Sequence, residues 1–396
     1  MLRTLSGENT KSTISVDKTN ETLLEQVSIK LNQEDEVTLI HDPSDIRKPH
    51  SKEAEDIGKV RDLKGNIING YSTHNIIALP SNAKKVMLLS NKTYSNKSDN
   101  FLSQDIIKKL LSGKDFDGQD KANKLYQSGK YFNKKTLSKD EITRCSTKLK
   151  EFNLSLKITH VLDREFDDND YISLISKDLN DDFVIRSKKS RTLDLKGDDG
   201  KKIRLINYEF NDKGQIAFQK IRFKKRVVQD GKFMISWTAY NEIVAVKITV
   251  LDRDGNNVFN DSMLLLTNKV VNNIDDAYAI YNKYLQRSKI EYVFKFLKEG
   301  LGWEETQIQN FKAIENLISL CFYVAAYLYE IGEESAYDDY AVMLSNIADG
   351  KGKVTRQFIL KGIQVVSNYY KYEAYLKNKN VSVKDQKIVQ DVFMME

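Results

Sequence analysis

The feature that most constrains this chain is a change of hydrophobic period along its length, from strand-length apolar runs to long helical repeats in the last third. EVTLIH (Glu36 to His41), IINGYSTHNIIALP (Ile67 to Pro80) and VMLLS (Val86 to Ser90) read as three early strands. Amphipathic stretches at Phe101 to Leu111 and Asp140 to Phe152 follow, then a fourth strand, KITHVL (Lys157 to Leu162), and a helix from about Asp170. The order is βββαβα, which predicts an α/β core. Between Asp182 and Thr267, short β-rich runs alternate with DG, KG and NN turn signals, the pattern of an all-β insertion. Helices are expected over Asp275 to Glu299, Phe311 to Ile331, Tyr337 to Ile347 and Thr355 to Leu376, with Gly332 and Gly350 to Gly352 as stops. Residues 1 to 35 are polar and read as a weakly structured leader. Their one helical candidate, Thr22 to Lys30, has capping-box spacing in Thr22 and Glu25.

Composition narrows the class. Hydrophobic residues make up 40% of the chain, enough for a large core, and charged residues 30%. There is no leading apolar segment, so a cytoplasmic protein is expected. The longest apolar run, Leu317 to Tyr329, falls short of the roughly 20 residues that span a bilayer and reads as a buried helix, with no membrane partner. Cys145 and Cys321 lie far apart without a CxxC spacing, which supports neither a zinc site nor a disulfide framework. The net charge of +6 is a small surplus of 62 basic over 56 acidic residues and by itself says little about partners. Its distribution says more. Arg186, Lys188, Lys189 and Arg191 form one basic cluster, and Lys220, Arg222, Lys224 and Arg226 form another. Residues alternating along one strand face one side, so the second cluster reads either as a track for a DNA backbone or as a solvated strand face.

Acidic residues at strand ends are the candidates for chemistry. Asp42 follows the first strand and Asp163 the fourth, each at the carboxyl edge where α/β sheets bind ligands. Taken singly, either is as readily a turn former or a helix cap. The helix from Asp275 adds Tyr284, Arg287, Glu291 and Lys298 at offsets that fall within a stripe about 70° wide. A tyrosine, a carboxylate and two cations on one face suit a group that holds a metal and clamps phosphates, though a solvated charged face has the same pattern. His41, His50, His74 and His160 show no metal-binding spacing, and Trp237 and Trp303 read as core.

The spacing Y-x2-R-x3-E-x6-K, met here as Tyr284, Arg287, Glu291 and Lys298, resembles the signature of insertion-sequence transposases of the IS-four type. HDPSD (His41 to Asp45), GYSTHNIIAL (Gly70 to Leu79), LDRE (Leu162 to Glu165), FVIRSKKSR (Phe183 to Arg191) and LLLT (Leu264 to Thr267) fall in that family's order, so the resemblance covers roughly residues 36 to 330. It implies a ribonuclease H-like mixed sheet flanked by helices, with an all-β insertion and a helical C-terminal region. The corresponding boundaries are 1–35 (leader), 36–181 (core), 182–268 (insertion), 269–335 (core with signature helix) and 336–396 (C-terminal helices). It further implies a DDE transposase that cuts and joins DNA strands, with Asp42, Asp163 and Glu291 holding two Mg²⁺ or Mn²⁺ ions and Asp45 as an alternative to Asp42. Tyr284, Arg287, Lys298 and Arg186 would contact the DNA end. Double-stranded DNA is the expected partner, bound by a homodimer that is nucleoid-associated when on DNA. Two readings remain beside it: an inactive DNA-binding remnant, and a ribonuclease H-like nuclease without strand transfer. Only 41 residues precede Asp42, so the end-recognition module reads as shortened. Met263 and Ser288 stand where some relatives stack tryptophan on an extruded base, which leaves hairpin formation open.

Overall fold

Ser15 opens the described chain and caps a helix that the polar leader conceals. The computed structural model describes residues 15–81, 85–196, 202–223, 226–332 and 337–379. The Ser15 side chain accepts from the Lys18 amide at 3.3 Å, and α1 (Val16–Lys30) follows. Thr22 is interior to that helix and donates back to the Lys18 carbonyl, so the expected cap at Thr22 is displaced by one seven residues earlier. Leu24 and Val27 bury against Leu39, Ile76 and Leu89 of the sheet, so α1 is a core element and not a loose leader. Its exposed face is polar apart from Ile29, and that masks the apolar stripe in a composition count.

β1 (Glu36–Arg47), β2 (Gly58–Arg61), β3 (Ile67–Pro80) and β4 (Met87–Tyr94) build the first half of a mixed sheet. Three helices follow, α2 (Gln104–Leu111), α3 (Gln119–Ser128) and α4 (Lys134–Phe152), and then β5 (Lys157–Leu162). The bounds of β3 and β5 are those read from the sequence; α3 and β2 had no clear signal. β5 lies parallel to β1, and β6 (Asp182–Arg186) lies parallel to β5. A 3₁₀ turn (Arg164–Phe166) and the short α5 (Asn169–Ser173) occupy the crossover between β5 and β6.

The segment 182–268 is rich in β structure, and most of it continues the core sheet. β7 (Thr192–Lys196) and β8 (Lys202–Arg204) form a separate pair, but β9 (Asp212–Phe223), β10 (Arg226–Tyr240), β11 (Ile243–Leu251) and β12 (Met263–Thr267) join the main one. The described strands run in the order β2-β3-β1-β5-β6-β12-β11-β10-β9, with β4 also paired to β3. β6 and β12 are therefore inner strands, paired antiparallel at Leu266 and Ile185. Phe183, Ile185, Leu264 and Leu266 share one buried cluster with Leu162, Phe166 and Ile175.

The helix expected over Asp275 to Glu299 is divided. α6 (Ile274–Leu285) ends in a tighter turn in which the Arg287 and Ile290 amides donate to the carbonyls three residues before them. α7 (Ser288–Lys295) follows and widens into a π turn over Phe296–Gly300. The ideal 100° step therefore fails twice between Tyr284 and Lys298: Tyr284, Arg287 and Glu291 still converge, whereas Lys298 takes other partners.

α8 (Phe311–Ile331) matches its predicted bounds and by length and composition is able to cross a membrane. Of its side chains Ala313, Ile314, Ile318 and Phe322 are buried. The described residues divide into compact units at Tyr323/Val324, inside α8. In the second unit α9 (Asp338–Ile347) and α10 (Arg356–Lys379) pack closely, because Gly362 carries no Cβ: one placed there would lie 2.0 Å from the Leu344 carbonyl oxygen.

Candidate active site

Register brings the first two acids together. The last parallel pair between β1 and β5 is His41 with Leu162, so Asp42 and Asp163 are the next residue on each chain segment. β1 does not end at Asp42 as the sequence suggests. Its antiparallel pairing with β3 continues to Arg47 opposite Gly70, and Asp42 is paired with Asn75. The edge that Asp42 occupies is thus the end of the parallel ladder, not of the strand. Asp163 caps the 3₁₀ turn, its Oδ1 accepting from the Arg164 amide at 2.8 Å and from the Tyr284 hydroxyl at 3.2 Å.

Arg287 ties the group together. Its Nη2 lies 2.8 Å from Asp42 Oδ1 and 3.5 Å from Asp163 Oδ2, and its Nη1 lies 3.4 Å from Glu291 Oε1. Arg186 approaches Asp163 at 4.0 Å. Burial pushes the Asp42 carboxyl up to about 7 although Arg287 opposes it, and the nearby Glu165 and Asp163 add to the rise. Burial likewise raises the Tyr284 hydroxyl to about 12, with Asp163 contributing. Loss of hydration, and not the neighbouring acids, is therefore the main reason that Asp42 holds its proton more tightly.

The other candidates are placed elsewhere. Lys298 Nζ donates to the Asp45 carbonyl at 3.2 Å and pairs with Glu304 at 3.4 Å rather than with Asp42, Asp163 or Glu291. The Asp45 carboxylate accepts from the Ser72 hydroxyl at 3.0 Å, which leaves Asp42 as the residue at the cluster. The first basic run is partly turned inward. Lys188 donates to the Asp167 carbonyl and Arg191 pairs with the buried Asp167 carboxylate at 3.2 Å, whereas Lys189, more than half exposed, reaches Asp261. The second run is not one strand. Lys220 and Arg222 are exposed on β9, Lys224 lies outside the described residues, and Arg226 opens β10 opposite Phe223. A hairpin, invisible to an alternation count, divides the stripe.

Two further features bear on the site. Glu165, within the LDRE motif, pairs with Lys134 and acts on Asp42, so it belongs beside the three acids. A cleft of about 630 Å³ opens next to Asp163's neighbours, lined by Arg164, Arg186, Lys189, Phe259, Met263 and Tyr281. The histidines at the sheet are structural: His41 and His160 are buried and hydrogen-bonded to each other at 2.8 Å, and His160 bonds to Asp181 at 3.1 Å. Trp237 and Trp303 are buried.

The three acids fit hard divalent ions by donor chemistry, all oxygen and all anionic. Among the described residues, however, no three His, Cys, Asp or Glu side chains are gathered as ligands of a single ion. Arg287 stands among the acids instead.

A large mixed sheet with two adjacent acids at the end of its parallel strands, flanked by helices, is an architecture consistent with ribonuclease H-like transposases. Residues 141–328 match the family described as the transposase DDE domain. The match runs from α4 to α8 and takes in Asp163 and Glu291, with Asp42 lying before it. It supports a DDE transposase, a class with nuclease and transposition activity on DNA that generally uses divalent metals. No curated protein shows a detectable match to the chain.

Proposed function

We propose that the protein is an insertion-sequence transposase of the IS-four type, which cleaves DNA and transfers the cut strand, with Asp42, Asp163 and Glu291 as the ligands of two Mg²⁺ or Mn²⁺ ions. The observation that carries this reading is the convergence of three acids, separated by more than a hundred residues from one to the next, within 3.5 Å of a single guanidinium. Held by these carboxylates, such ions would supply activation of a water or 3′ hydroxyl and charge stabilisation of the leaving oxygen. The chain's own groups then have separate tasks. Asp42 and Asp163 present carboxylates just past the last pair of the parallel β1–β5 ladder, and Tyr284 orients Asp163 through its hydroxyl. Arg186 and Arg164 line the adjoining cleft with positive charge suited to the phosphates of the DNA end, and Phe259 and Met263 offer it apolar surface. Lys298, tied to Glu304 and the Asp45 carbonyl, braces β1 from the side, a role that differs from a direct phosphate contact.

Nicking and joining of DNA bearing the element's own ends, with Mg²⁺ or Mn²⁺, tests the reading. Wild type should give both products, and Glu291→Gln or Asp163→Asn should give neither while binding DNA and melting normally. Equal nicking by wild type and Glu291→Gln sinks the assignment. Nicks without joined strands would mean a nuclease, and inactive wild type a DNA-binding remnant.

A further inference from the structure

The backbone at Asp42 and the Asp163 carboxylate are held by groups other than Arg287. Asp42 is carried by the β1–β3 ladder, and Asp163 is held by the Arg164 amide and the Tyr284 hydroxyl. Yet Arg287, with 17% of its side chain exposed, engages both of them and Glu291 through its two terminal nitrogens, and its buried Nε has no partner. A guanidinium and a divalent ion drawn to the same carboxylate oxygens exclude each other, since both need the same lone pairs and like charges about 4 Å apart repel.

We propose that Arg287 is the built-in counterion of the DNA-free site, and that a DNA phosphate draws it away and so opens the acids to metal. The inference rests on the proposed function and adds a regulation to it. Phosphate is the suited competitor, because the planar fork of a guanidinium takes phosphate oxygens in pairs as it takes carboxylates. A phosphate that captures Arg287 leaves Asp42, Asp163 and Glu291 uncompensated, which raises their affinity for a divalent ion. Coupling of this kind is reciprocal, so metal tightens DNA by the factor with which DNA tightens metal. The protein is thereby kept from loading metal, and from cutting, before a DNA end is in place.

Mn²⁺ titration of the full chain without DNA, followed by the electron paramagnetic resonance of free Mn²⁺, tests this without reference to activity. Arg287→Gln should bind Mn²⁺ roughly tenfold more tightly than wild type, in the usual range of such couplings. Arg287→Lys should fall between them, and Asp163→Asn should bind more weakly than wild type. Melting curves establish that each variant is folded and add a second reading, since Mn²⁺ should raise the Tm of Arg287→Gln more than that of wild type. A duplex oligonucleotide, after subtraction of the Mn²⁺ it holds alone, should tighten Mn²⁺ binding by wild type and leave Arg287→Gln unchanged. Equal or weaker Mn²⁺ binding by folded Arg287→Gln, or an equal effect of the duplex on both proteins, overturns the inference and leaves the metal site standing. If Asp163→Asn binds Mn²⁺ as wild type does, the acids are not the ligands, and the proposed function falls along with the inference.

Discussion

Single side chains here couple chemistry to stability in separable ways. Tyr284 is buried and spends its hydroxyl on Asp163, so Tyr284→Phe removes one hydrogen bond to a charged group while keeping the ring's packing. A loss of about 1–2 kcal/mol in stability is expected from denaturant melts, together with reduced cleavage from a less constrained Asp163. His74 shows the opposite separation, stability without chemistry. Burial holds its imidazole near 4 instead of its ordinary 6.5, with Glu141 pulling only weakly the other way. Because the folded value is the lower, the unfolded chain takes up the proton first. The contribution is therefore intact above about pH 6.5 and is lost as the pH falls towards 4, by about 3 kcal/mol in all. Urea melts of His74→Gln at several pH values in that window should show a slope that differs from wild type by one proton, whatever His41 and Asp42, which shift it in opposite directions, add to both proteins. An unchanged slope would mean that His74 is not the proton acceptor.

Among the elements, α4 is the one whose entry is most fully specified. Asn133 accepts from the Lys135 and Thr136 amides at 2.9 and 3.0 Å, and Thr136 returns the bond to the Asn133 amide at 3.0 Å. Asn133→Ala should cost about 1 kcal/mol, read as a lower Tm. The same turn positions Lys134 against Glu165, so the loss reaches the edge of the candidate site. On β9 the question is one of partners. Lys220 and Arg222 are exposed and on the same side, and if each neutralises one phosphate, its replacement by alanine should flatten the salt dependence of DNA binding by about 0.9 in the log–log slope. No change in that slope after substituting both would mark the strand face as merely solvated.

At the scale of the molecule, the continuous sheet makes a statement about cooperativity. The segment 182–268 shares its sheet with β1 and β5, and its inner strands are buried with theirs, so one unfolding transition is expected for the unit that ends at Tyr323. Trp237 on β10 and Trp303 beyond α7 report from different parts of that unit. Melts of Trp237→Phe and Trp303→Phe, each followed by the fluorescence of the remaining tryptophan, should have coincident midpoints once each is corrected for its own stability loss. Midpoints well apart would instead make the β-rich segment a domain that unfolds by itself.

What the sequence by itself determined is local. Periodicity and turn residues set the spans of β3, β5 and α8, while Asp42, Asp163 and Glu291 are singled out as a set only through the resemblance that their motifs carry. These signals act over a few residues, the distance across which propensity and alternation operate. What only the tertiary structure decided depends on pairing across more than a hundred residues. The parallel register of β1 with β5 sets Asp42 beside Asp163, and the turn between α6 and α7 aims Arg287 at both and sends Lys298 to Glu304. The hairpin that splits Lys220 and Arg222 from Arg226, and the capture of Lys188 and Arg191 by Asp167, were hidden for the same reason. A basic or acidic residue announces its charge in the sequence, but which opposite charge it meets is settled by burial of apolar surface elsewhere, and that is a property of the whole sheet.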